Sequence, residues 1–200
     1  MSIVVCNNNS LSAITSIPAS ITGGALNLIS TQTASSSSTI SFTSGIDSTY
    51  KEYIFKFINI HPATDDKNFQ INFRDGGSDF DATKTTTMFR ALHSEDGGTS
   101  GLAYRTGNDL AQSTSAQDIS EGLSNDADHG ASGTLHLFDP SSTTFVKHFI
   151  CVATGTRHSN QSHNEYTAGY CNTTTAIDGV EFKMSSGNID SGTIKLYGVS

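Results

Sequence analysis

The run Tyr50-Lys51-Glu52-Tyr53-Ile54-Phe55-Lys56-Phe57-Ile58-Asn59-Ile60 decides the fold class. In an extended strand successive side chains point to opposite faces. Tyr53, Phe55 and Phe57 therefore share one face, and Ile54, Ile58 and Ile60 fall on the other. Aromatic and β-branched residues suit a pleated, packed surface. The stretch reads as a long strand covered on both faces.

Working outward, the same rhythm recurs. Phe69, Ile71 and Phe73 alternate with Gln70, Asn72 and Arg74, and Asp75-Gly76-Gly77 closes that strand with residues that tolerate positive φ. Upstream, Leu26, Leu28 and the Thr-rich run to Thr33 form a strand, Ser35 to Ser38 turn the chain, and Ile40 and Phe42 mark the next one. Downstream, strands are expected over Thr86 to Leu92, around Leu135 and Leu137, and over Phe145 to Ala153. Glu165 to Thr175 is a weaker stretch, and Val180, Phe182, Met184, Ile194 and Leu196 close the series. Roughly eight to ten strands spaced by turns predict an all-β fold, an antiparallel β-sandwich of jelly-roll type. His93 to Gly133 breaks the rhythm and reads as one long Gly/Ser/Asn/Asp-rich loop.

The first 24 residues differ from the body. Leu11, Ile14, Ile17 and Ile21 recur three to four apart in a polar background, and Gly23-Gly24 marks a joint. Residues 1–24 read as an N-terminal docking arm and 25–200 as the β-sandwich domain. The arm either docks on another protein or packs back on its own domain.

Composition narrows the function classes. Eleven basic against 19 acidic residues give a net charge of −8, with no basic run of three, which argues against nucleic acid as a partner. No apolar stretch approaches the roughly 18 residues of a spanning helix, so no membrane partner is expected. Met1 to Ser10 has no basic stretch followed by an apolar core, so no secretory leader is expected. Cys6, Cys151 and Cys171 are odd in number and far apart, as in a protein made in a reducing cytoplasm.

No constellation of catalytic residues stands out, and the chain is read as a non-enzyme without cofactor or metal. His158 and His163 match no zinc spacing. The acidic loops with Asp75, Asp79 and Asp81, and with Asp126 and Asp128, lack the carboxylate register of a Ca²⁺ loop. Polar recognition chemistry gathers in two stretches instead. One holds Tyr104, Arg105, Asn108 and Asp109; the other holds His158, Asn160, His163 and Tyr166.

Several segments resemble a known family. Ser37-Ser-Thr-Ile-Ser-Phe-Thr-Ser-Gly-Ile-Asp-Ser-Thr-Tyr50 runs into Tyr53-Ile-Phe-Lys-Phe-Ile-Asn-Ile-His-Pro-Ala-Thr64. Asp109-Leu-Ala-Gln-Ser-Thr114 and Leu135-His-Leu-Phe-Asp-Pro-Ser-Ser-Thr-Thr-Phe-Val-Lys-His-Phe149 come next, and the chain closes on Gly187-Asn-Ile-Asp-Ser-Gly-Thr-Ile-Lys-Leu-Tyr-Gly198. Together they resemble small virion proteins of tailed phages, especially marine ones infecting cyanobacteria. The resemblance implies a particle component, assembled in the host cytoplasm, whose partners are other virion proteins. It leaves head and tail open and carries over no catalytic residues. The expected function is structural: capsid decoration or a tail or fibre subunit. A homotrimer is expected by analogy with β-rich phage appendages. The alternative is a receptor-binding, lectin-like module for host attachment, reading a surface glycan or protein with the two stretches above.

Overall fold

The computed structural model describes residues 25–200, and the candidate arm residues Leu11, Ile14, Ile17 and Ile21 lie outside it. The described chain is built from twelve strands. They are β1 (Leu26–Ser37), β2 (Thr39–Phe42), β3 (Glu52–Pro62), β4 (Lys67–Arg74), β5 (Lys84–Ser94) and β6 (Ser100–Tyr104), then β7 (Gln117–Leu123), β8 (Ala131–Phe138), β9 (Lys147–Arg157), β10 (Gln161–Cys171), β11 (Gly179–Met184) and β12 (Ile189–Val199). All their pairings are antiparallel.

One run of neighbours is β1-β12-β3-β8, continued by β9-β10-β5-β6; the other is β2-β11-β4-β7. A single pair, Leu123 with Arg157, stitches the two at one corner. With β5, β6, β9 and β10 set aside, β1-β12-β3-β8 faces β2-β11-β4-β7, and the first strand pairs with the last. Two Greek keys wound in this way are a jelly roll. The insertions fall between β4 and β7 and between β8 and β11, yet both extend the same edge of the same sheet.

The core between the sheets is aromatic. Phe55 and Phe57 from β3 meet Phe42, Phe69 and Phe182 from the facing sheet, with ring centroids 5.2 to 5.6 Å apart. Phe73 packs on Phe149 at 4.8 Å. Each ring contributes about 1.5–3 kcal/mol by leaving water. Tyr53 keeps its ring in the core, and its hydroxyl reaches the Asp47 carbonyl and carboxylate, each at 3.0 Å.

Ser35 to Ser37, expected in a turn, continue β1 and leave only Ser38 before β2, and two larger departures from the sequence reading follow. Alternation along β3 groups Ile60 with Ile54 and Ile58, but Ile60 is fully buried while Ile58 is 42% exposed. The register between β3 and β8 slips between Phe57 and Ile60, and Asn59 sits at φ 51°. A bulge of this kind inserts one residue and reverses the facing of the residues beyond it. The second departure is the segment from His93 to Gly133, which holds β6 and β7 and so is no continuous loop. Cys151 and Cys171 are buried and unbridged, and Cys171 on β10 lies opposite Lys147, four residues from Cys151 along β9. That offset is about 13 Å at strand rise, well beyond disulfide reach.

Candidate functional site

Two of the inserted strands, β5 and β10, bury mainly polar side chains, with Met88 the apolar exception on β5. On β5 the buried side chains include Lys84, Thr86 and Arg90, and on β10 they are His163, Glu165 and Thr167, with Cys171 at the end of the strand. Phe89 and Tyr166 point outward instead, directly opposite one another, stacked at 4.8 Å and 9°. Cross-strand register extends this outer row to Tyr104 on β6 and Val152 on β9. Leu102 and Ile150 flank it, both exposed.

The inward polar groups meet β7. Arg90 is ion-paired with Glu121 and lies 4.0 Å from Glu165; Arg105 reaches Glu121 from the other side at 3.1 Å. Glu165 Oε2 accepts the Glu121 backbone N–H at 2.8 Å. Further along, Thr86 donates to Gln117 Oε1 at 2.5 Å, and Gln117 donates to the Asn108 carbonyl at 2.7 Å. Burial pushes the Glu165 carboxyl up to about 8, helped by the neighbouring Glu121 charge. Burial, with Arg157 and Arg90 nearby, drives the His163 imidazole down to about 3. Lys84, buried at the far end of β5, is lowered to about 8 for the same first reason.

Ser120, His163 and Glu165 superficially form a nucleophile–base–acid set. Ser120 Oγ is 2.8 Å from His163 Nε2, but Glu165 approaches the same nitrogen, at 3.6 Å, and His163 Nδ1 has no partner. A triad needs the acid on the opposite ring nitrogen and an approach for substrate. All three residues are buried. The set is a structural contact between sheets.

These shifts set a pH dependence for folding. Glu165 binds its proton more tightly folded than unfolded, so stability falls as pH rises from its ordinary 4.5 to about 8. His163 does the opposite, losing stability as pH falls from 6.5 toward 3. The two offset each other between 4.5 and 6.5, and Lys84 restores stability only above about 8. The melting temperature is therefore expected to fall between pH 6.5 and 8, and Glu165→Gln to flatten that fall. A wild-type melt that rises over this interval contradicts the assignment.

The eight sequence-derived recognition residues do not converge. Tyr104 is exposed and donates its hydroxyl proton to Asp109 at 2.7 Å. Arg105 and Asn108 are engaged inward, with Glu121 and with Asp118. His158 is held by Asp66 at 2.9 Å, and Asn160 forms the β9–β10 turn at φ 52°. His163 and Tyr166 lie on β10, and His163 is fully buried, which removes it from any recognition surface. Only Tyr104 and Tyr166 share a face, joined by Phe89, which no sequence motif marks. An apolar residue alternating with buried Lys84 and Arg90 is the one available sign.

A polar cleft of about 750 Å³ opens at the end of β3, β8, β9 and β12, lined by Asn59, His61, Asn125, His129, Ser132 and Asp190. His61 Nε2 lies 3.1 Å from the Asp126 carbonyl oxygen, and His129 lies 3.7 Å from the Asp126 carboxylate and 3.9 Å from Asp128. Among the described residues no His, Cys, Asp or Glu group is arranged to hold a metal ion. Comparison with protein-family models, curated proteins and solved structures finds no match.

Proposed function

We propose that the chain is a structural component of a virus particle, a capsid decoration or tail-associated subunit held by protein–protein contact through the outer face of β10, β5 and β6. The observation that carries this reading is the inverted polarity of β5 and β10. Strands that bury Arg90, Glu121's partner, and turn Phe89 and Tyr166 to solvent gain little from folding alone. Contiguous exposed apolar residues of this kind mark interaction sites, and aromatic side chains are the usual anchors of such contacts. The resemblance to phage virion proteins points the same way.

Recognition of a glycan is the weaker reading. Phe89 and Tyr166 turn their ring faces toward each other, so they offer solvent mainly their edges. A sugar platform needs an open ring face.

The test is to probe washed, purified particles of the encoding virus with antibody to this chain, beside a Phe89→Glu/Tyr166→Glu variant. The chain is expected in particles at fixed stoichiometry. The variant, with an unchanged melt, is expected to lose at least about tenfold in occupancy. Absence of the wild-type chain from particles overturns the proposal. Normal occupancy of the variant with impaired attachment to host cells would favour the receptor reading.

A further inference from the structure

We infer that the free edge of β6 pairs antiparallel with β6 of a second copy of this chain, about a two-fold axis at Leu102. The inference rests on the reading of the outer face as a contact surface and names one occupant for its edge.

The backbone sets the register. Arg105 donates its N–H to the Met88 carbonyl at 2.9 Å, and Ser94 donates to the Thr99 carbonyl at 2.8 Å. Both contacts belong to the register that pairs Phe89 with Tyr104. Hydrogen-bonded pairs alternate along an antiparallel ladder. Gly101 and Ala103 therefore turn their N–H and C=O groups toward β5, and Ser100, Leu102 and Tyr104 turn theirs outward. Among the described residues β6 pairs with β5 alone.

Natural edge strands are blunted by lysine, proline, inward charge or a bulge. β6, Ser100-Gly101-Leu102-Ala103-Tyr104, has none of these, is exposed along its whole length, and pairs with β5 without a register shift. On a chain of net charge −8 an uncharged edge is where two identical copies approach with least repulsion. The strand also complements itself. With the axis at Leu102, the two Leu102 side chains oppose on the outer face, and each Ser100 meets the other copy's Tyr104. On the inner side Gly101 meets Ala103, both small. The two outer rows of Tyr104, Phe89 and Tyr166 then continue across one joined sheet. Pairing closes after two copies, because it uses the only free edge strand among the described residues on that side of each sheet.

Such a contact covers about half of the ~800 Å² per partner of a standard interface. It is expected to be reversible in dilute solution and to fill where copies are crowded, as on a particle.

Sedimentation of the full chain over a wide range of micromolar concentrations tests the inference. The weight-average mass is expected to climb from 21.2 kDa toward twice that value. Leu102→Pro removes one outward N–H per copy and no bond to β5, and Leu102→Lys sets two like charges at the axis. Each is expected to weaken association about tenfold or more without changing circular dichroism. Leu28→Lys, on the opposite edge strand, is expected to leave it unchanged. A mass fixed at 21.2 kDa, a trimer, or association indifferent to both Leu102 variants overturns the inference. Monomeric protein that still occupies particles sinks the edge pairing and leaves the proposed function standing. A chain that pairs through β6 but is missing from particles does the reverse.

Discussion

Truncating Arg90 to alanine is expected to lower the unfolding free energy by about 3–5 kcal/mol, the usual loss when one member of a buried ion pair is removed. Arg90 is only 6% exposed and is the cation that stands between Glu121 and Glu165. Without it, Arg105 alone serves Glu121, and Glu165, whose carboxyl burial already holds protonated up to about pH 8, loses its nearest cation. A urea midpoint measured at pH 7 reads the effect directly, provided the denaturant slope is unchanged. The diagnostic companion is Arg90→Met with Glu121→Gln and Glu165→Gln. Removing the buried Arg90–Glu121 pair together with the Glu165 carboxyl is expected to recover most of the loss, since no unpaired buried charge is then left behind. A loss below about 1 kcal/mol in Arg90→Ala would mean that the cluster is solvated, contrary to its burial. The consequence reaches function, because this cluster pins β5 and β10 to β7 and thereby holds Phe89 and Tyr166 in the outer row.

Strands are legible in the sequence where the jelly roll itself provides the core. Phe69, Phe73 and Phe182 alternate with polar neighbours, Phe55 and Phe57 share one face of a strand that is apolar on both, and all five are buried. Legibility fails where the buried face is polar. A period of two says that a strand has two faces, but not which one points in. Arg90 has the pattern of a surface charge, and Gln117, Ser120 and Glu121 of β7 are lost in an apparent loop, because each is buried by a partner distant in sequence. Strand order is equally out of reach. β1 pairs with β12 across almost the whole chain, and no local pattern encodes that. Of the candidate site, Tyr104 and Tyr166 are legible as aromatic residues among polar ones. Phe89, which joins them, is hidden by the same ambiguity of face.

Gly133→Ala is expected to destabilise the fold by about 3 kcal/mol or more, at the upper end of what overpacking costs. Gly133 lies in β8 between Phe57 of β3 and Ala153 of β9. A methyl group built there meets the Val152 carbonyl oxygen and the Phe57 ring, whose Cζ and Cε2 would be 2.5 and 2.7 Å away. The carbonyl belongs to the β8–β9 pairing region and moves only with the backbone. The ring is 1% exposed and sits 5.4 Å from Phe69, which stacks on Phe182, so shifting it disturbs the aromatic core between the sheets. Glycine under an aromatic ring is thus what lets β3 and β8 approach at this point. Pairing Gly133→Ala with Phe57→Leu separates the two obstacles. If the ring is the main one, the double variant is more stable than the sum of the single losses predicts. If the carbonyl dominates, the two losses add. A Gly133→Ala protein within about 0.5 kcal/mol of wild type would show that neither obstacle is real, and that β8 lies farther from Phe57 than this packing requires.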